Sequence, residues 1–153
     1  MTPQEFIAKW KHVTLSERSA YQQHFLDLCE LLQQPKPASA DPQGAFYTFE
    51  RGVTKTSGSD GWADVWMKGH FGWEYKGKKK DLKAAYDQLL LYRESLENPP
   101  LLVVCDLDRF EVHTNFPTPR RRSTRLTWMG SPRRKTWTSC GASSPTRSRS
   151  GPA

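Results

Sequence analysis

A mixed α/β fold, a sheet flanked by helices with a helical pair in front, is what the residue pattern predicts. Two observations carry this. The periodicity reads helix, helix, strand, strand, strand, helix, strand, strand, and Leu101-Leu102-Val103-Val104-Cys105 is a continuous apolar run. Such a run suits a strand buried on both faces, which arises when helices cover both sides of a sheet.

The first helix is expected over residues 3–12, where Phe6, Ile7 and Trp10 recur at helical spacing. The second, over 16–34, carries Tyr21, Phe25, Leu28, Leu31 and Leu32, with Ser16, Glu17 and Ser19 at its start. Pro35-Lys36-Pro37 stops it, and a Ser/Ala/Asp/Pro loop leads to Gly44. Residues 45–50 are aromatic and strand-like, with Phe46, Tyr47 and Phe49, whereas 51–61 reads as a loop. Strands are expected over 62–67 and 71–76, joined by the turn Lys68-Gly69-His70. A helix over 80–96 shows a broad apolar face of Leu82, Ala85, Tyr86, Leu89, Leu90 and Tyr92. Asn98-Pro99-Pro100 ends it, and Phe110–Thr114 alternates like a last strand. The organisation expected is a helical region over 1–44, a core over 45–116 and a basic tail over 117–153.

At 153 residues and 36% hydrophobic content the chain has the makings of one globular domain. It shows neither a secretory leader nor an apolar run near the ~20 residues that cross a bilayer. Its three cysteines, Cys29, Cys105 and Cys140, are too scattered for a zinc site or a disulfide framework. They read as reduced thiols, and the expected location is the cytoplasm. The net charge of +7 suggests nucleic acid until its distribution is examined. Residues 120–153 contain nine basic residues and no acid; removing those nine from 23 leaves 14 against 16 acids, a net of −2 for residues 1–119. The basicity belongs to the tail.

The chemistry is concentrated in two strands. Asp64 stands in one and Glu74-Tyr75-Lys76 in the next, with nine residues between Asp64 and Glu74. Alternation sends Glu74 and Lys76 to one side of a strand and Tyr75 to the other, and a hairpin can bring Asp64 alongside. Two carboxylates and an ammonium are what phosphodiester hydrolysis needs: hard oxygen ligands for Mg²⁺, and a lysine to orient or help deprotonate the attacking water. An acid, a gap, then acid-any-Lys resembles the motif of the PD-(D/E)XK nuclease superfamily. Alone that spacing is weak, since surface acids on a hairpin produce it by chance. The strand–strand–helix–strand order around it adds weight. So does Gln88-Leu89-Leu90-Leu91-Tyr92, which resembles the Q-x-x-x-Y signature of exonuclease-like members, where the Gln positions the site. Glu50 stands where many members carry a further acidic ligand, although it also reads as a plain strand-end charge.

Several blocks resemble a narrower family. Phe49-Glu50-Arg51-Gly52, Gly61-Trp62-Ala63-Asp64-Val65-Trp66, Phe71-Gly72-Trp73-Glu74-Tyr75-Lys76-Gly77-Lys78, Leu96-Glu97-Asn98-Pro99-Pro100-Leu101-Leu102-Val103-Val104 and His113-Thr114-Asn115-Phe116 are similar to the amino-terminal domain of MmeI-like type IIL restriction–modification enzymes. The resemblance covers about residues 1–116. It implies an Mg²⁺-dependent endonuclease acting on double-stranded DNA, with Asp64, Glu74 and Lys76 as its triad, Gln88 beside them and Glu50 as a possible third ligand. It also implies a longer polypeptide whose other parts, an S-adenosylmethionine-dependent adenine methyltransferase and a target-recognition domain, choose the sequence. S-adenosylmethionine is expected only there.

Other conspicuous residues have plainer readings. Lys78, Lys79 and Lys80 suit a solvated turn, Trp62, Trp66 and Trp73 suit packing, His70 a turn, and His24 with Cys29 makes no metal pair. Beyond Phe116 the residues lose apolar periodicity, and ordering them would cost roughly 1–2 kcal/mol each in backbone entropy for little burial. A disordered tail, dispensable to the fold, is expected. Shifting the codons of Trp128-Met129-Gly130 by two bases gives Asp-Gly, which is compatible with a frameshift and a truncated chain. Two other functions stay open: a non-catalytic DNA-binding protein using the tail, and an inert remnant of a restriction gene. Metal-dependent nicking of plasmid DNA separates the nuclease from both.

Overall fold

The computed structural model describes residues 1–13, 17–55, 58–116 and 123–127. Three helices come first: α1 (Pro3–Lys11), α2 (Glu17–Leu31) and the single turn α3 (Pro37–Ala40). Then follow β1 (Tyr47–Thr54), β2 (Asp60–Met67), β3 (Phe71–Tyr75), α4 (Leu82–Tyr92), β4 (Leu101–Cys105), β5 (Arg109–Thr114) and β6 (Ser123–Thr127). The strands form one six-stranded sheet in sequence order. Every neighbouring pair is antiparallel except β3 and β4. That pair is joined by the crossover helix α4, the connection a parallel pair requires. The fold is mixed α/β.

Local sequence explains the helix ends. Thr2 and Glu5 form a reciprocal capping box at the start of α1, with Pro3 in the first turn and Lys9 and Lys11 in the last. Asp81 caps α4 by accepting from the Lys83 N–H at 2.9 Å. Each sheet face has its own core. On one, Phe6, Trp10, Tyr21 and Phe25 pack with Tyr47, Val65, Trp73, Tyr75, Val103 and Phe110. On the other, Leu82, Ala85, Leu89 and Tyr92 pack with Trp66, Leu102 and Val104. Strand β4 thus sends Val103 and Cys105 to one core and Leu102 and Val104 to the other. Double burial explains its unbroken apolar run. The indole of Trp66 donates to the Leu96 carbonyl at 2.9 Å, fastening the end of the crossover to β2.

The structure departs from expectation in several places. β1 continues through Thr54, because Arg51–Thr54 pair with β2 from Ala63 back to Asp60. An edge strand facing water can carry Gly, Thr and Lys, and its composition then resembles a loop. Trp62, though 63% exposed, keeps the packing expected of it, its ring lying over Gly52 across the hairpin. Lys78 is no solvated turn residue: its ammonium donates to the Trp10 and Lys11 carbonyls at 3.0 and 3.1 Å and pairs with Asp108. Helix α4 is shorter at both ends than the stretch 80–96. Lastly, Ser123–Thr127 is a strand paired with β5 along its length, from Arg109↔Thr127 to His113↔Ser123. Disorder throughout the tail does not hold for these residues. Backbone pairing with an open edge needs no apolar face, so hydropathy gave no warning. Residues 117–122 and 128–153, including Cys140, lie outside the described residues.

Cys29 and Cys105 are buried and unbonded to each other. Among the described residues no helix is long and apolar enough to cross a membrane. His24, on α2, is fully buried among Phe6, Trp10, Tyr75 and Phe110, with ring centroids 4.8–5.7 Å away. Its Nδ1 shares a hydrogen bond with the Tyr75 hydroxyl at 2.9 Å.

Burial lowers His24 from 6.5 to about 4, against the opposing pull of Asp27 and with help from Lys78. Between these values the unfolded chain binds a proton that the folded chain does not, so stability falls as pH drops from 6.5 toward 4. The full contribution is on the order of 3 kcal/mol. His24→Gln, which does not titrate, should melt lower at pH 7.5 yet lose less between pH 7.5 and 5 than the parent. Equal pH dependence in both would show that His24 is not the titrating group. Ending the chain at Phe116 should lower the melting temperature below that of a chain ending at Thr127, because only the first strips β6 from β5.

Candidate functional site

The site begins where two strands separate. β2 and β3 pair through Met67↔Phe71, Trp66↔Gly72 and Val65↔Trp73, and there the ladder stops. β3 continues along β4 to Tyr75↔Cys105, and the Lys76 N–H still reaches the Cys105 carbonyl at 2.8 Å. Into the fork goes the Asp64 side chain, which accepts from the Tyr75 N–H at 2.6 Å. A carboxylate has taken the place of a strand carbonyl.

Both strands of the β1–β2 hairpin also change face at this level. Residues two apart in a regular strand share a face. Phe49 and Val65, however, belong to the helical-layer core, whereas Ala63 belongs to the α4 core and the Arg51 guanidinium lies over Trp66 of that core. The switch falls at Glu50 and Asp64, and Glu50 has a φ of +51°. A left-handed non-glycine residue in mid-strand is a local cost of the kind that collects at functional sites.

On β3, Glu74 is 4% exposed and turns to the α4 side. The Gln88 amide donates to its Oε1 at 2.8 Å, and the Lys76 ammonium reaches the same oxygen at 3.2 Å. Lys76 also donates to Gln88 Oε1 at 3.4 Å. These three side chains form a closed triangle. Tyr92 lies one helical turn beyond Gln88, and its hydroxyl is pushed up by burial, with the charges of Glu74 and Asp64 adding to the rise. Asp64, Glu74, Lys76 and Gln88 therefore act on one locality.

Glu50 stands apart from the triangle. It is exposed, and its Oε1 accepts from the Tyr21 hydroxyl at 2.8 Å. Tyr21 is pushed up to about 12 by burial, with Glu50 and Asp64 adding to the rise. Among the described residues no group of three His, Cys, Asp or Glu side chains gathers to hold a metal. A site made of these residues thus offers two carboxylates, Asp64 and Glu74. Tyr21 went unread because nothing in its spacing links a helix residue to a strand residue 29 positions on. Tyr92 was visible in the Q-x-x-x-Y pattern, yet its apolar surroundings also suit a core aromatic.

Gly61 supports this arrangement from behind. A Cβ there would collide with the Tyr92 hydroxyl and stand 2.7 Å from its ring Cζ. Gly61→Ala should therefore push Tyr92 toward Gln88 and cost about 1–3 kcal/mol of stability. Tyr92→Phe in that background should recover part of the loss in chemical denaturation. No loss in the single variant would mean the ring moves freely.

A family model described as "MmeI, N-terminal domain" matches residues 1–129. A comparison with curated proteins finds no match. Among solved structures, a chain of "cryoEM structure DrdV-DNA complex" is similar at 14% identity and a TM-score of 0.47, over 78% of this chain. The similar region is 12% of that chain, so this chain spans a small part of its length. Since the model takes in 129 of 153 residues, the chain belongs to the MmeI N-terminal domain family.

Proposed function

We propose that this domain is a metal-dependent endonuclease with a PD-(D/E)XK core, hydrolysing phosphodiesters of double-stranded DNA at the fork between β2 and β3. The convergence of Asp64, Glu74, Lys76 and Gln88 on that fork carries the reading. Membership of the family supports it.

The donor set fits Mg²⁺. That ion is held by one or two carboxylates and keeps several waters, so Asp64 and Glu74 suffice without a third acid. Glu50, steadied by Tyr21, would add a further negative charge beside the site and is not needed as a third ligand. When bound, the ion lowers the pKa of a coordinated water and offsets charge on the phosphoryl oxygens. The chain's own residues do the rest. Asp64 and Glu74 would hold the ion, since both carboxylates are anchored, one by a backbone N–H and the other by an amide. Lys76, pinned between Glu74 and Gln88, supplies a point charge that orients the attacking water and counters negative charge developing on the phosphate. Gln88 holds both partners at their spacing. Nothing in the triangle reads bases, so choice of sequence is assigned to other parts of a longer polypeptide. S-adenosylmethionine would serve a methyltransferase there.

Nicking of supercoiled plasmid should need Mg²⁺ or Mn²⁺, while Ca²⁺ should bind without supporting it. Asp64→Asn, which keeps an acceptor for Tyr75, should fold normally and lose both metal binding by calorimetry and nicking. Lys76→Gln should retain the fold and the metal while nicking falls by roughly 10²–10³-fold. Full cleavage by either variant would overturn the assignment. A parent chain that binds metal and DNA but never nicks would instead be an inert remnant.

A further inference from the structure

We propose that the outer half of the β1–β2 hairpin grips the sugar–phosphate backbone of duplex DNA through Arg51 and Lys55, an inference that rests on the nuclease reading. Both side chains are half-buried, yet neither forms an ion pair among the described residues. Three other half-buried cations, Lys76, Lys78 and Arg109, are neutralised within the chain. Lys76 pairs with Glu74 at 3.2 Å, Lys78 with Asp108 at 3.4 Å, and Arg109 with Asp106 at 2.6 Å.

Arg51 and Lys55 are instead held by aromatic rings. The Arg51 guanidinium carbon sits 4.3 Å from the Trp66 ring centroid, and the Lys55 ammonium 5.8 Å from that of Tyr92. An aromatic face orients a cation without cancelling its charge, so the charge stays available to a ligand. The Arg51 Nε is buried without a hydrogen-bond partner. A partly desolvated guanidinium in this state favours a bound anion, and its planar fork suits phosphate oxygens.

The supporting rings also fix the location. Trp66 lies two residues beyond Asp64 on β2, and Tyr92 lies one helical turn beyond Gln88 on α4. Both rings belong to the core that lies on the Glu74 side of the sheet. The two cations therefore lie to one side of the proposed cutting site. Four residues of extended chain separate them by roughly 13 Å. No single phosphate spans that gap, whereas successive phosphates of one polymer do. Residues 1–119 carry a net charge of −2, so these local cations cannot be replaced by a general positive field.

The experiment is binding of a fluorescently labelled 24-base-pair duplex of mixed sequence to the full chain, read by anisotropy in Ca²⁺ over a salt series. Arg51→Gln and Lys55→Gln should each weaken binding about 3- to 10-fold and reduce the slope of log affinity against log salt by about 1. Lys36→Gln, on the helical side, should change neither. The basic tail is present in every sample, so its contribution cancels. Should Arg51→Gln melt early for want of its contact with Trp66, Lys55→Gln still decides the matter. Unchanged affinity and slope in Lys55→Gln and in a folded Arg51→Gln would overturn the proposal, as would a loss confined to a duplex RNA of the same length. Failure of the nuclease reading looks different: cleavage would survive in Asp64→Asn while the binding defects remained.

Discussion

The Tyr75 N–H is the point on which the site is built. β3 has left β2 by this residue, and a buried amide without an acceptor costs about 1–3 kcal/mol. Asp64 meets the need at 2.6 Å, and the bond fixes a carboxylate in the gap between the strands. The same residue ties the fork to the helical layer, because the Tyr75 hydroxyl shares a hydrogen bond with His24 at 2.9 Å. One tyrosine thus joins an aromatic core on one side to the acidic side chain at the centre of the site. The buried ring, 0% exposed, gives little freedom to either contact.

A second constraint comes from the crossover. Because β3 and β4 are parallel, the chain must travel the height of the sheet and return, and α4 makes that journey across the face to which Glu74 points. Gln88 arrives over Glu74 as a consequence. The helix is pressed close by small residues: Gly72, where an added Cβ would stand 2.9 Å from Leu96, and Gly61 beneath Tyr92. Packing density, rather than the polar contacts themselves, sets how near the amide comes to the carboxylate. The triangle is a product of topology plus close packing.

These origins explain what the sequence disclosed. The apolar periods of α1, α2 and α4 and the run in β4 reflect burial, which hydropathy records directly, and those elements were legible. The proximity of Asp64, Glu74, Lys76 and Gln88 was legible, because strand alternation and a known motif place them together, while their chemistry is the proposal's. Less visible were features made by backbone pairing or by long-range contact. The continuation of β1 through Thr54 and the strand Ser123–Thr127 rest on hydrogen bonds that any residue but proline can make. The face switch at Glu50 depends on a single φ of +51°, in a residue type that does not announce it. Tyr21 reaches Glu50 only because helix α2 lies across that part of the sheet. Lys78, in a run of lysines that looked solvated, is consumed in tying the loop after β3 to the end of α1.

Charge balance links the proposed chemistry to the proposed grip. Residues 1–119 are slightly acidic, and the fork concentrates that acidity in Asp64, Glu74 and nearby Glu50. Lys76 offsets part of it but is shared with Glu74. A phosphodiester approaching this locality alone would meet net repulsion, on the order of 1–4 kcal/mol per close pair of charges at effective dielectric values between water and protein surface. Under the proposed chemistry, a divalent ion held by Asp64 and Glu74 would reverse that sign. Arg51 and Lys55, set on aromatic rings to one flank, reverse it where the backbone leaves the site. On this reading the domain holds DNA well through this face only when the ion is present, since each source of positive charge is screened beyond about 10 Å. Binding and cutting then share one electrostatic requirement, and a fragment without metal has little reason to engage DNA through this face.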